Sequence, residues 1–232
     1  HVFGWLARRF DRRLKRHLAE CYAVNPGRVA YRDHHFCHCL SPVYFYGLDA
    51  LGKDLLLVSV DGMGDHKCSR VYVRRAATGR MEPIASSHFF SSPGVLFSAG
   101  TRFLGMKRNE HEYKVMGLAA YVDDERYYAR VLEHLRKVLW LDEERLEFRS
   151  PFVMHAAGSY LARHCAYERF DNVAAALQRH LEELVCGLIR AAVKKTGVAD
   201  VAVSGGTFMN VKMNQHLAGM PEIRRIWFQP SS

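Results

Sequence analysis

Two histidines four residues apart, His34 and His38, form the part of the chain with the clearest capacity for chemistry. If the segment after Asp33 is helical, these two residues share one helix face, so that both imidazoles can bind one cation. Asp33 stands where a helix N-cap would be, which supports a helix beginning there. Histidines with this spacing also occur in helices that bind no metal, so the spacing alone leaves both interpretations open.

Two glycine-containing turns at the ends of predicted strands are candidates for phosphate or nucleotide binding. One is Asp61-Gly62-Met63-Gly64-Asp65, after a buried strand over 55–60. Glycines let the backbone approach a phosphate, and the carboxylate can orient a metal ion or a water. The other is Ser204-Gly205-Gly206, between a strand and a helix whose N-terminus favours a phosphate or a ribose oxygen. Both runs also occur in ordinary turns, so neither is specific alone.

A third candidate cluster is formed by three charged residues, Glu110, Glu112 and Lys114, in a segment rich in glycines and aromatic residues. A solvated loop is the ordinary interpretation of such a cluster. Alternatively, the lysine could neutralise a phosphate or polarise a carbonyl group, while a carboxylate accepts a proton.

The elements that would position these residues alternate between strands and helices. Apolar residues at spacings of three and four predict an amphipathic helix over 3–22 and a long one from Phe170, ended by Gly197. The polar segment 123–146 is predicted to be helical and peripheral. Strands are predicted at 29–31, 55–60, 69–75, 83–89, 198–203 and 223–228. This order predicts an α/β fold.

Composition narrows the class of protein without deciding its partner. No run approaches the roughly 18 apolar residues that a membrane span requires. The net charge of +9 is concentrated in the first helix, where a solvated face explains it as well as nucleic acid does. The six cysteines lack Cys-x-x-Cys spacing, which favours free thiols in a cytoplasmic protein over a disulfide framework. Because the chain begins at His1, we expect a piece of a longer protein.

Several of these segments together resemble one protein family. The blocks 92–105 and 109–121 are similar to O-carbamoyltransferases of the NodU/CmcH type, and Glu-Tyr-Lys-Val-Met-Gly-Leu-Ala at 112–119 is the most specific part. The resemblance extends to the histidine cluster, to Asp61–Asp65, to 172–178 and to 204–210, and so covers roughly residues 14–230. Cys37, Cys39 and Thr207-Phe208-Met209 depart from the family pattern, which bears on the shape of the pocket.

The resemblance implies a fold and a division into domains. The fold would be actin-like and ribonuclease-H-like, the ASKHA fold of Kae1-like proteins. Residues 1–47 would be a remnant of the first subdomain that carries the histidine motif. Residues 48–232 would be most of the second, nucleotide-binding subdomain, truncated at its C-terminus.

The resemblance also implies an activity and its ligands. A carbamoyl group would pass from carbamoyl-adenylate to a hydroxyl of a small-molecule acceptor. A YrdC-like domain of the full-length chain would make the adenylate from carbamoyl phosphate and ATP. His34 and His38 would hold a divalent metal, with iron favoured and zinc as the alternative. Their partner carboxylate is expected beyond Gln229-Pro230.

Roles for the remaining candidates follow from the same resemblance. Asp61 and Gly62 match the phosphate side of the nucleotide. The residues that match the adenosine side are Gly205, Gly206 and Asn210. Glu112 and Lys114 match the signature block, where we expect the base and a charge-stabilising group. His35 would be either a supporting residue or a substrate contact.

Two other functions remain open. Transferases of the tRNA threonylcarbamoyl type share the two-histidine motif and the fold, and the positive charge would suit tRNA. The Glu-Tyr-Lys-Val-Met-Gly-Leu-Ala block argues against them, so we expect an adenine nucleotide and a small hydroxyl acceptor as partners, without nucleic acid or a membrane. The chain could also be a domain that binds nucleotide and metal but catalyses nothing alone.

Overall fold

The computed structural model describes residues 2–230, with side chains from residue 12 onward. The chain divides into two compact units, residues 1–33 and 34–232. In the first unit, helix α1 (Val2–Tyr22) precedes a single 3-10 turn (Pro26–Arg28). The predicted strand at 29–31 is wrong, because the amide of Val29 already donates to Pro26 O and the segment pairs with no described strand.

The second unit is built on a five-stranded mixed sheet. Strands β1 (Leu55–Gly64), β2 (Lys67–Arg74) and β3 (Met81–His88) form an antiparallel meander. Strands β6 (Asp200–Ser204) and β7 (Arg225–Phe228) continue from β1 in parallel, giving the order β3-β2-β1-β6-β7. These observations confirm the predicted α/β class.

Helices and a hairpin cover the sheet, and their bounds are as follows: α2 (His34–Phe45), α3 (Pro93–Phe103), α4 (Glu112–Ala119), α5 (Ala129–Val138), α6 (Ala157–His164), α7 (Phe170–Thr196), α8 (Val211–Ala218), and the hairpin of β4 (Trp140–Asp142) and β5 (Glu147–Arg149). The long helix α7 ends at Gly197 in a left-handed conformation, as predicted. The predicted boundary between residues 47 and 48 stays a prediction.

Side chains alternate along β1 and so divide the core in two. Leu56, Val58 and Val60 join the large cluster that includes residues of α3, α5 and α7. Leu55 and Leu57 face the smaller cluster under α2. The central strand is therefore buried on both faces, which fixes the position of its C-terminal end.

The segment 123–146 corrects the prediction of a peripheral helix. Only ten of its residues are in α5, and their apolar stripe is buried against the large core. Leu139, just before β4, and Leu146, just before β5, are also fully buried. The many charged residues of this segment occupy its outer face and conceal the stripe in a composition-based analysis. None of the helices in the described part of the chain has the length and apolar character needed to cross a bilayer.

Candidate functional site

Helix α2 presents two imidazoles to the end of the central strand. His34 and His38 lie on the same face of the helix, and their ring centroids are 4.5 Å apart. Nε2 of His34 lies 2.9 Å from Oδ2 of Asp61, and Nε2 of His38 lies 3.4 Å from the same oxygen. All three ligand atoms are within 4.8 Å of one another, and each of the three residues is partly buried.

Asp61 lies where β1 leaves regular pairing. The register of β1 with β2 shifts between Val60 and Gly64, and the pairing of β1 with β6 ends at Ser59. The other carboxylate oxygen, Oδ1, accepts hydrogen bonds from the amides of Gly62 at 2.7 Å and Gly206 at 3.3 Å. One carboxylate thus connects both glycine turns to both imidazoles.

The surroundings of Asp61 favour its ionised form. Burial acts to raise the pKa of the carboxyl group, but hydrogen bonds with His38, His34 and the Gly62 amide outweigh burial and hold the pKa well below its usual range. Two imidazole nitrogens and a carboxylate oxygen are ordinary ligands of iron or zinc. The donor set therefore fits a divalent metal.

Gly64 and Asp65, which follow Asp61 in the same turn, also hold the histidine pair in place. A methyl group built on Gly64 would lie 2.0 Å from Cδ2 of His34, so only glycine lets this ring pack against the strand. Oδ2 of Asp65 accepts a 2.7 Å hydrogen bond from the backbone amide of His34 at the start of α2. Sequence reasoning missed the role of Asp65, although it belongs to the quoted motif.

His35 lies beside this cluster, with its ring centroid 5.1 Å from that of His34, but it contacts β1 instead of Asp61. Its side chain is fully buried, and Nδ1 lies 2.8 Å from Oγ of Ser59 on β1. Contact with a substrate would require access that the buried ring lacks. The geometry instead favours a supporting role, because the bond attaches α2 to the strand that carries Asp61. Sequence reasoning missed Ser59, since a serine inside a buried strand has no distinctive signal.

The turn after β6 requires glycine at one position. Gly205 has φ +99°, and a methyl group there would lie 2.4 Å from the carbonyl oxygen of Val60. Asn210 caps α8 by accepting from the amide of Met213 at 3.0 Å. Its side-chain amide also pairs reciprocally with Gln178 of α7, at 2.7 and 3.0 Å. Asn210 therefore fixes α8 against α7 beside the glycine turn.

A cleft of about 200 Å³ opens between α4, α7 and α8, next to the Asn210–Gln178 pair. Gln178 lines this cleft together with Glu182, whose Oε1 accepts a 2.6 Å hydrogen bond from Gln178. Lys212 and His216 also line the cleft, with Nε2 of His216 3.5 Å from Oε2 of Glu182, and Tyr128 adds an aromatic ring. Apart from Gln178, the lining residues named here were not predicted from the sequence, because they come from segments far apart in the chain.

Glu112 and Lys114 belong to a separate, local network. Oε1 of Glu112 accepts from the amide of Asn109 at 2.8 Å and from Oγ of Ser98 at 2.9 Å. Nζ of Lys114 is exposed and lies 3.1 Å from Nε2 of His111. Within the described residues, none of these hydrogen bonds connects the network to His34, His38 or Asp61. The structure thus joins the histidines to the glycine turns but not to the signature block.

Comparison with known protein families shows where this chain belongs. The family model described as carbamoyltransferase N-terminus matches residues 6–232, almost the whole chain. The chain belongs to this carbamoyltransferase family. The predicted resemblance is thereby confirmed at the level of the family.

Three relatives illustrate how this chain compares with individual proteins. Nodulation protein NolNO of Sinorhizobium fredii is 26% identical over 217 residues, covering 90% of this chain and 30% of the relative. Nodulation protein NolO of Bradyrhizobium diazoefficiens is 26% identical over 203 residues, covering 86% and 35%. An uncharacterized protein of Synechocystis sp. is 24% identical over 237 residues, covering 94% and 37%. The chain therefore spans about a third of the length of these relatives.

Proposed function

We propose that this chain is the metal- and nucleotide-binding part of an O-carbamoyltransferase that carbamoylates a hydroxyl of a small-molecule acceptor. The observation that carries the proposal is the position of Asp61, whose two oxygens face two imidazoles on one side and two glycine amides on the other. We further propose the ASKHA fold, because the antiparallel meander β1–β3 followed by parallel β6 and β7 fits its second subdomain.

The proposed reaction is an acyl transfer. The acceptor hydroxyl oxygen bonds to the carbonyl carbon of carbamoyl-adenylate, the bond from that carbon to the phosphate oxygen breaks, and AMP leaves. The hydroxyl proton passes to a base, and the product is the acceptor carbamate. A divalent metal held by His34, His38 and Asp61 would supply Lewis-acid polarisation of an oxygen. The chain's own contribution is to hold these ligands in place, through Gly64, Asp65 and the His35–Ser59 hydrogen bond.

The nucleotide would lie across the two glycine turns, with its base toward the cleft between α4, α7 and α8. Two features support this orientation. The backbone at Gly62 is open to a phosphate, since an added methyl group there would meet no atom within 4 Å. The cleft beside Asn210 combines an apolar side, from α4, with polar groups such as Glu182 and Lys212 that could hydrogen-bond a base or ribose. The acceptor identity stays outside the proposal.

The experiment that tests the proposal is a reconstituted transfer assay. The chain is incubated with Fe²⁺ under anaerobic conditions, carbamoyl phosphate, ATP and a panel of hydroxyl acceptors, with or without a purified YrdC-like domain. We expect AMP and carbamoylated acceptor, measured by chromatography and mass spectrometry, only when that domain is added. His38→Ala should abolish the product, whereas Cys37→Ala, one residue away, should not. If His38→Ala forms as much product as the unsubstituted chain, the metal site is refuted. If neither the unsubstituted chain nor His38→Ala binds AMP, the nucleotide site is refuted.

A further inference from the structure

The side chain of Thr207 is buried in an unusual state. The residue follows the Gly205-Gly206 turn, is only 8% exposed, and its Oγ1 has no hydrogen-bond partner. Leaving a buried hydroxyl unpaired costs about 1–3 kcal/mol, and a valine of the same shape would avoid that cost. A hydroxyl kept unpaired beside a candidate site therefore calls for a functional explanation.

The hydroxyl of Thr207 points toward the first turn of α3. A methyl group built on Gly94, the second residue of that helix, would lie 3.2 Å from Thr207 Oγ1 and 3.3 Å from the amide nitrogen of Gly62. The absence of a side chain at Gly94 thus lets the first turn of α3 approach the Thr207 hydroxyl and the Asp61–Gly62 turn closely. Gly62 and Gly94 are partly exposed and Gly206 is exposed, so the junction of these three segments lies close to solvent.

This junction lies at the N-terminus of an 11-residue helix. Ser92 caps α3 by accepting from the amide of Val95 at 3.2 Å, which leaves the amide of Gly94 without an acceptor inside the helix. Helix N-termini attract anions through such amides and through the helix dipole. The unpaired hydroxyl of Thr207 is an independent second donor directed at the same place.

The charge nearby is compatible with an anion. The carboxylate of Asp61 is the closest negative group, and its oxygens already accept from the amides of Gly62 and Gly206 and face His34 and His38. A bound metal at the imidazoles would reduce the remaining repulsion further. Anion binding should therefore be stronger when the divalent metal is present.

We propose that Thr207 Oγ1 and the amide of Gly94 bind one phosphate oxygen of the nucleotide. This inference rests on the proposed function, because it takes a nucleotide as the ligand of the glycine turns. Thr207 would be a specificity-determining residue, since it adds a donor at a position where the sequence departs from the family pattern. The shared chemistry of AMP, ATP and inorganic phosphate is the phosphate oxygen, so all three would be recognised.

The test uses titration calorimetry in the presence of a divalent metal and compares Thr207→Val with a matched control. The control is Thr101→Val, which makes the same change at a buried hydroxyl of α3 that donates to the carbonyl oxygen of Phe97 at 3.0 Å. We expect Thr207→Val to weaken binding of AMP and of inorganic phosphate about tenfold while adenosine binding is unchanged. Thr207→Ser should restore most of the affinity, and Thr101→Val should bind AMP like the unsubstituted chain.

Folding is checked by urea denaturation of the ligand-free proteins, where Thr207→Val should be at least as stable as the unsubstituted chain. Unchanged AMP affinity in Thr207→Val would overturn the inference while leaving the nucleotide site intact. Equal losses for AMP and adenosine would also overturn it, because they would locate the effect outside the phosphate. If the unsubstituted chain binds none of the ligands, the inference and the nucleotide part of the proposed function both fail.

Discussion

Two polar clusters of this molecule consist of similar residue types but are assembled in different ways. The cluster around Asp61 joins α2, the end of β1 and the turn after β6, across sequence separations of 23 to 145 residues. The cluster around Glu112 joins residues 98–114, and its hydrogen bonds span only 3 to 14 residues. The first collects donors and acceptors from separate elements, whereas the second stabilises one connection between α3 and α4.

The difference indicates which cluster can bind a ligand. Oδ2 of Asp61 faces two imidazoles whose nitrogens could exchange this contact for a metal without disturbing the backbone. Oε1 of Glu112, in contrast, holds a backbone amide and a serine hydroxyl, and replacing these bonds would release the loop. We therefore expect a cluster whose residues come from separate elements to bind a ligand. A cluster with local closure, in which hydrogen bonds join residues close together in the chain, is expected to have a structural role. The expected catalytic role of Glu112 and Lys114 stays a prediction.

The largest expected effect is the loss of metal affinity when the carboxylate of Asp61, but not that of Glu112, is neutralised. Asp61→Asn removes the only carboxylate of the described donor set, and we expect affinity for Fe²⁺ or Zn²⁺ to fall more than 100-fold, beyond the 10–100-fold typical of supporting residues. Glu112→Gln makes the same chemical change in the other cluster and should leave metal affinity unchanged. Metal content by elemental analysis and competition with a chelator measure both. Equal metal affinity in the two variants would show that the Asp61 carboxylate is not a metal ligand.

Helix α3, which contributes Ser98 to the Glu112 cluster, also packs on α7, and this contact provides a second comparison. His180 of α7 is 3% exposed beside a small cavity of about 10 Å³ between these helices, and its ring nitrogens have no partner at hydrogen-bond geometry. Burial lowers the pKa of His180 to about 4, and Glu183 and the Leu139 backbone offset only part of this effect. The imidazole is thus neutral in the folded protein.

Because the folded pKa of His180 is below its ordinary value of 6.5, the unfolded chain binds the proton more readily. The stability of the neutral form is complete above pH 6.5 and is lost as the pH falls toward 4. We expect about 2 kcal/mol of unfolding free energy to be lost between pH 8 and pH 5 through this residue. His180→Leu should flatten the pH dependence measured by urea denaturation, whereas His155→Gln, at an exposed histidine, should not. An unchanged slope in His180→Leu would contradict the burial argument.

Sequence patterns predicted the parts of the fold that depend on local periodicity. The buried strand at 55–60 and the apolar stripe of α7 were predictable because the apolar pattern of each segment agrees with its burial in the folded protein. The segment 29–31 has strand-forming residues but pairs with none of the strands in the described part of the chain, and propensity alone does not supply a pairing partner. The β4–β5 hairpin has three residues in each strand, too few for a recognisable alternation.

The site was predictable only in its components. Spacing predicted that His34 and His38 share a helix face, but the carboxylate was expected beyond the end of the chain. The position of Asp61 depends on the irregularity between Val60 and Gly64, which turns its side chain toward α2. No pattern within the motif encodes that direction. The Asp61→Asn variant tests whether His34, His38 and Asp61 bind a metal.

A smaller effect should follow from disturbing the histidine pair without changing a ligand. In Gly64→Ala the added methyl group would overlap the His34 ring, so the ring must rotate and Nε2 must move away from Asp61. We expect about a tenfold loss of metal affinity, the lower limit for a supporting residue. Gly158→Ala, in α6 with no atom within 4 Å of the new methyl group, is the matched control. Retained affinity in Gly64→Ala would show that His34 is dispensable for metal binding.

The smallest effect tests the structural interpretation of the Glu112 cluster. Glu112→Ala removes the acceptor of two hydrogen bonds, and we expect the unfolding free energy to fall by about 1–2 kcal/mol with metal affinity unchanged. Glu110→Ala removes only an exposed ion pair with Lys107 and should cost less than about 0.5 kcal/mol. Glu112→Gln keeps an acceptor oxygen and should retain most of the stability. If Glu112→Gln instead keeps full stability but abolishes carbamoyl transfer, Glu112 acts as the base, and local closure would no longer separate structural from catalytic clusters.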